Sequence, residues 1–351
     1  MTTFIQLHML TSYPPSNLNR DDLGRPKTAR MGGADRLRIS SQSLKRAWRT
    51  SDLFASALKG HIGTRTRLIG IETKKKLVDR EISEKKAKEW SKLIAAQFGK
   101  LKKSNADRPD EELEIEQLAH ICPEEQEEID LLIDRLAEAD RAPEKEELAL
   151  LRKRHKAVDV AMFGRMLASQ PAYNMEAAVQ VSHAVTIHPV TVEDDYFTAV
   201  DDLNKGEEDA GAGHIGEAGF AAGVFYLYVC INQDLLLENI SEDRELSQKA
   251  LGALVEAAVK VSPSGKQNSF ASRAYASYLL AEKGPQQPRS LSVAYLKPVT
   301  DIDILGRGIA LLEEHRKKME DAYGKCADSY TVMDVTNGKG SLAEILAFIG
   351  E

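Results

Sequence analysis

Between residues 68 and 181 the chain is written mainly in Lys, Glu, Leu and Ala at helical spacing, with few β-branched residues. Such a block belongs to helices and not to the sheet of a mixed protein. The periodicity predicts helices over 87–100, 112–120, 124–140 and 144–168, interrupted at 105–109, Pro123 and Pro143. No heptad repeat is sustained, so the block reads as a packed insertion and not as a coiled coil. Around it the pattern is strand-like. Ile5, Leu7 and Met9 alternate with Gln6 and His8 until Tyr13-Pro14-Pro15, and residues 223–231 are almost continuously apolar, as a central strand should be. Residues 181–192, 274–281, 290–297 and 330–334 read as further strands, and 41–59, 241–261, 303–322 and 341–348 as helices. Without 68–181 and an acidic, Gly-rich excursion at 193–219, strands mixed with two main helices remain, an α+β pattern.

At 351 residues with 42% hydrophobic content, the chain can bury a sizeable core in two or three modules. Its net charge of -7 supplies no global field toward nucleic acid. Charge is partitioned, however. Residues 1–67 carry twelve Lys/Arg against four acids, a net of +8, whereas 104–147 carry seventeen acids against four bases, a net of -13. The acidic block reads either as a solvated surface or as a face toward a partner. No apolar run approaches a membrane span, and the first residues lack a charged start and a signal-like apolar core. Cys122, Cys230 and Cys326 are too few and too scattered for a disulfide framework or a zinc knuckle. A cytoplasmic protein with no membrane partner and no cofactor is expected.

The densest chemistry lies in residues 17–49. Arg36-Leu37-Arg38-Ile39 alternates charged and apolar side chains, as a strand with one buried face does. Ser40 and Ser41 offer N-cap hydroxyls to the helix that follows. Leu44, Ala47 and Trp48 form an apolar stripe, which leaves Gln42, Lys45, Arg46 and Arg49 mainly on the other faces. A helix N-terminus flanked by Lys and Arg is an anion site, and its density of donors suits a nucleic-acid backbone.

Several motifs, in order, resemble the CasC family, the backbone (Cas-seven-type) subunits of type I-E CRISPR Cascade complexes. They are Asn17-Leu-Asn-Arg-Asp-Asp22, Gly32-Gly33, Arg38-Ile-Ser-Ser-Gln-Ser-Leu-Lys-Arg-Ala47, Gly164-Arg-Met166, Phe197-Thr-Ala-Val-Asp-Asp-Leu203, Gly223-Val-Phe-Tyr226 and Gly265-Lys-Gln267. The last third of the chain matches more weakly. The resemblance implies a right-hand architecture: an RRM-like (ferredoxin-like) palm (1–67, 182–189, 224–351), helical fingers (68–181) and a β-hairpin thumb (190–223). It implies a non-catalytic subunit that polymerises along CRISPR RNA and presents it for pairing with a target DNA strand. Its partners would be neighbouring copies of itself and other Cascade subunits. The guide-contacting positions implied are Arg20, Lys27, Ser40, Gln42, Lys45, Arg46, Arg49, Met166, Phe197, Thr198, Gly265, Lys266 and Gln267.

Each assignment has a plainer alternative. Met166 follows Val158, Ala161 and Met162 at helical spacing and on pattern alone reads as core filler. Gly265-Lys266 reads equally as a helix C-cap followed by a solvated Lys. The thumb could be an acidic loop, so contact is expected from 197–200 and not from Glu207–Asp209, with Asp201 and Asp202 free to pair with a neighbour. Related type III backbone subunits cleave target RNA through a loop Asp, and Asp35 beside Gly32-Gly33 is the corresponding alternative. A lone Asp between arginines is more simply an ion-pair partner, with no second carboxylate at metal-ligand spacing. His8, His183 and His188 would form a metal or acid–base group only if their strands converged. No Walker loop or nucleophile elbow is present.

Overall fold

The computed structural model describes residues 2–199 and 214–350. The strands in chain order are Phe4–Ser16 (β1), Thr28–Met31 (β2), Ala34–Ile39 (β3), Thr64–Thr66 (β4), Ala119–Ile121 (β5), Val179–Val181 (β6), Ala184–Thr186 (β7), Glu193–Ala199 (β8), His214–Asn232 (β9), Ala276–Gly284 (β10) and Ser329–Asp334 (β11). Two compact units divide the described residues. One takes in 2–54, the described part of 180–231, and 251–350; the other takes in 55–179 and 232–250. The fold is therefore α+β, and the helical block begins earlier than residue 68 and recruits 232–250 as well. Among the described residues, no helix is long and apolar enough to cross a membrane.

The sheet of the first unit runs β11-β10-β1-β9-β7-β3-β2, with β8 also paired to β9. The continuous apolar segment expected at the centre is the second half of β9. Strand β1 continues through Pro14 and Pro15 where a stop was expected. Pairing with β10 ends at Thr11, after a register shift at Leu10/Thr11, and both prolines are exposed, so their missing N–H groups cost no bond on that side. The loop expected at 16–35 contains the β2–β3 hairpin, turned by Gly32 and Gly33 at φ of 60° and 79°, the conformation such a two-residue turn requires. The helix expected over 41–59 is two, Ser41–Arg49 and Asp52–Ala57, parted where Thr50 and Ser51 hydroxyls bond back to the Arg46 and Trp48 carbonyls. Residues 290–297 are not a strand. Leu291 donates its N–H to the Tyr226 hydroxyl and Arg289 to Gln6, so the segment covers the sheet and does not extend it.

Both faces of β1 are buried, including Gln6 and His8 on the face that alternation marks as polar. His8 Nε2 donates to Glu282 at 3.2 Å and Nδ1 accepts from the Tyr226 hydroxyl at 2.9 Å. Glu282 also receives a forked pair of hydrogen bonds from Arg289. Burial pushes His8 below its ordinary value against the pull of Glu282. Burial would raise Glu282, but the hydrogen bonds from His8 and Arg289 outweigh it and hold the carboxyl down to about 2.

In the second unit, Leu77, Trp90, Ile94, Phe98, Ile129, Leu132, Ile133 and Leu136 form the core. The helices Glu84–Ala95 and Pro123–Ala139 stand close to the expected 87–100 and 124–140, and Ile69–Val78 is an additional one. The helix expected over 112–120 is a short 3-10 turn followed by β5, which pairs with β4. The one expected over 144–168 is helical only at Glu146–Leu148 and Val158–Phe163. Between these, the N–H groups of Arg152 and Lys156 donate to the Glu125 and Glu124 carboxylates, taking donors that a helix would use. The acidic block is largely neutralised within the unit. Lys74 meets Asp110, Lys76 meets Asp130, Arg80 meets Asp134, Lys86 meets Asp140, and Lys88 and Lys92 share Glu112.

Glu282→Ala strands Arg289 and should cost about 3–5 kcal/mol of stability. His8 stays neutral in the fold while the unfolded chain protonates near pH 6.5, and Glu282 contributes only while ionised. The melting temperature should therefore fall as pH drops below 6.5, and further from 4.5 toward 2. Melts followed by circular dichroism would check both; a midpoint level down to pH 3 contradicts the coupling.

Candidate nucleic-acid interface

Ser40 caps the helix Ser41–Arg49, with extended backbone (φ -69°, ψ 146°) and its hydroxyl accepting from Ser43 N at 3.4 Å. Leu44 and Trp48 turn inward and are buried. Gln42 and Arg46 are exposed, whereas Lys45 and Arg49 are half-buried. Burial draws Lys45 below its ordinary value, so the ammonium stands where an anion would be only partly screened by water.

The loop before this helix is fastened to it. Asn19 accepts the Ser40 N–H through Oδ1 at 2.8 Å, and its carbonyl accepts Lys27 N at 2.8 Å. Lys27 in turn accepts from Arg38 N at 2.8 Å, and residues 20 and 26 form an isolated bridge. Arg20 and Lys27 are thereby carried on a loop laid along β3 and the start of the helix. Of the two arginines on β3, Arg36 does not belong to this surface. Its side chain is fully buried and donates to the Thr186 and Tyr295 carbonyls at 2.9 and 3.1 Å. The neighbouring Arg38 pairs with His183 Nδ1 at 2.8 Å.

Gly265 packs against the same loop: a Cβ there would stand 2.3 Å from the Leu18 carbonyl oxygen and 2.6 Å from that of Asn17. It is therefore a close-approach glycine and not the C-cap of the helix Arg244–Lys260. Lys266 adopts a left-handed conformation (φ 45°), and Gln267 donates to the Pro263 carbonyl at 2.8 Å. The Phe270 ring lies 6.0 Å from Phe220 on β9, which ties this loop to the root of the β8–β9 hairpin. On that hairpin Phe197 pairs with Gly216 and Thr198 with Ile215. The Phe197 ring covers the Gly216 backbone, since a Cβ at 216 would fall 2.3 Å from it. Residues 200–213, with Val200, Asp201, Asp202 and Glu207–Asp209, lie outside the described residues.

Arg20, Lys27, Ser40, Gln42, Lys45, Arg46, Arg49, Phe197, Thr198 and the 265–267 loop thus all belong to the first unit. Met166 belongs to the second. It lies beyond the helix end at Gly164, is 76% exposed, and lines a cleft of about 280 Å³ with Phe98, Gly99, Gln117, Leu118 and Leu167. It is not core filler. The three histidines have separate partners: His8 with Glu282, His183 with Arg38, and His188 with the Val224 N–H and the Pro189 carbonyl. Among the described residues, no group of three or more His, Cys, Asp or Glu is placed to hold a metal ion. Sequence reading gave no role to Asn17, Asn19 or Arg25, although all three lie in or beside the first motif.

Gly265→Ala must push the 262–270 loop off the Asn17–Leu18 backbone, at about 1–3 kcal/mol. Its melting temperature and its affinity for single-stranded RNA should fall together; unchanged affinity would show that the loop stands apart from the interface.

Residues 5–346 match the CT1975-like protein family. No curated protein matches the chain. A chain of a CRISPR RNA-guided surveillance complex, pre-nicking, is 30% identical with a TM-score of 0.84, the match covering 99% of each chain. A chain of another CRISPR RNA-guided surveillance complex shares the fold at TM-score 0.73 and 24% identity, covering 98% of this chain and 99% of its own. The chain belongs to the CT1975-like family, a Cas-seven-type family, in agreement with the order of its motifs.

Proposed function

We propose that this chain is a non-catalytic backbone subunit of a type I-E CRISPR RNA-guided surveillance complex, acting in the cytoplasm in antiviral defence. The observation that carries this reading is that Lys45, Arg46 and Arg49 ride on one capped helix while Arg20 and Lys27 ride on the loop fastened to its start, in a chain similar from end to end to a surveillance-complex chain. In this reading the hairpin within 190–223 is the thumb, the rest of the first unit is an RRM-like palm, and the second unit holds the fingers of 68–181. Copies polymerise head to tail along the guide, an arrangement that forms a filament and does not close. Each thumb folds over the guide at its neighbour and displaces one base per repeat, with Met166 wedged near that base. Phosphate contacts carry no sequence information, so any guide is accepted and discrimination falls to base pairing with target DNA.

Expression with its operon should yield short RNA of defined length bound to the chain. RNA of random length, or none, would overturn the reading. If five cations each meet a phosphate, the log–log salt slope of binding should be about -3 to -4 per subunit. Lys45→Glu with Arg49→Glu should weaken binding to all sequences alike; loss confined to one sequence would contradict a phosphate track. Asp35 is exposed beside the β2–β3 turn. Asp35→Ala should leave guide and target lengths unchanged, and target cuts that vanish in this variant would overturn the non-catalytic assignment.

A further inference from the structure

Asn17 is fully buried although it opens an irregular polar loop. Its Nδ2 donates to two carbonyls, those of Gly24 and Gly219, each at 2.9 Å. Two carbonyl neighbours fix which end of the amide faces them. Gly24 lies within the loop that carries Arg20 and Lys27. Gly219 lies on β9 opposite Asp194, at the root of the hairpin that carries Phe197 and Thr198. Two further contacts join the same segments. Arg25 Nη1 stands 2.8 Å from the Asp194 carboxylate, and Gly219 leaves room for the Pro26 ring, which a Cβ would approach to 3.1 Å.

Resting on the function proposed above, we propose that Asn17 and the Arg25–Asp194 pair are positioning residues. They form one joint that sets the thumb's direction relative to the guide-binding loop, so that seating the guide and placing the thumb are a single event. The buried amide is the fulcrum, because moving the hairpin root would leave the Gly219 carbonyl and one Nδ2 hydrogen of Asn17 without a partner. The ion pair, with side chains 41% and 39% exposed, adds little to global stability and supplies orientation. Neither group is required to touch RNA.

The test assembles the chain on a guide RNA and maps base exposure with dimethyl sulfate, alongside affinity for the same RNA. Asp194→Arg removes an acid near the RNA, so affinity should hold or rise while the periodic contrast in base reactivity falls about threefold. Arg25→Asp should lose both. The double variant Arg25→Asp/Asp194→Arg should restore contrast to within about twofold of the parent, the mark of a direct pair. Asn17→Ala should lose contrast as well, with folding confirmed by circular dichroism; if it fails to fold, the surface swap still decides. Full contrast in Asp194→Arg, or no rescue in the swap, overturns the proposal. A parent chain whose bound RNA shows no periodicity would overturn the scaffold reading itself, and the joint's role with it.

Discussion

An irregular loop can hold cations in fixed places only if its own backbone groups are satisfied. Residues 17–27 meet this condition in large part through their own side chains and backbone. Asp21 receives the Leu23 and Arg25 N–H groups on its carboxylate, and its own N–H donates to the Arg25 carbonyl. Asn19 serves the helix start and Asn17 serves both the loop and the hairpin root. The acids and amides among the basic residues are therefore scaffolding. They bond to the backbone of the segment that carries Arg20, Arg25 and Lys27.

The charge partition of the sequence resolves differently in its two halves. The acidic block faces lysines and arginines carried on residues 74–102, so much of its field is cancelled at contact distance. The basic half has few acids to meet it, and its pairings, such as Arg25 with Asp194 and Arg38 with His183, hold segments together. A chain of net negative charge can in this way keep a locally positive surface without a global field that would attract nucleic acid indiscriminately.

Much of this was legible in the sequence. The N-cap at Ser40, the inward Leu44 and Trp48, the central strand at 223–231 and the helix near 303–322 follow from periodicity and capping chemistry alone. What was hidden depends on tertiary partners. Arg36 looks like surface by alternation, yet it is buried because two carbonyls at 186 and 295 come to meet it. The run 144–168 has the composition of a helix, but distant carboxylates take its N–H groups. Gly265 resembles a helix cap in sequence, and only the approach of Leu18 shows why no side chain fits there. The Asn17 joint spans 202 residues and leaves no local trace.

Three ion pairs of the second unit, Lys76–Asp130, Arg80–Asp134 and Lys86–Asp140, share one sequence separation of 54 residues. A constant offset works as a key to alignment. A slip of one residue between the two segments would misplace all three pairs together, so the wrong register is penalised collectively even though each exposed pair contributes little by itself. The stretch between residues 99 and 118, after the helix Glu84–Ala95 and before β5, can gain or lose residues without disturbing the key, because every separation changes by the same amount. An insertion between residues 76 and 86 has no such freedom: it splits the set, leaving at most some of the pairs in phase. Drift in length is thus channelled into the connection and kept out of the helices.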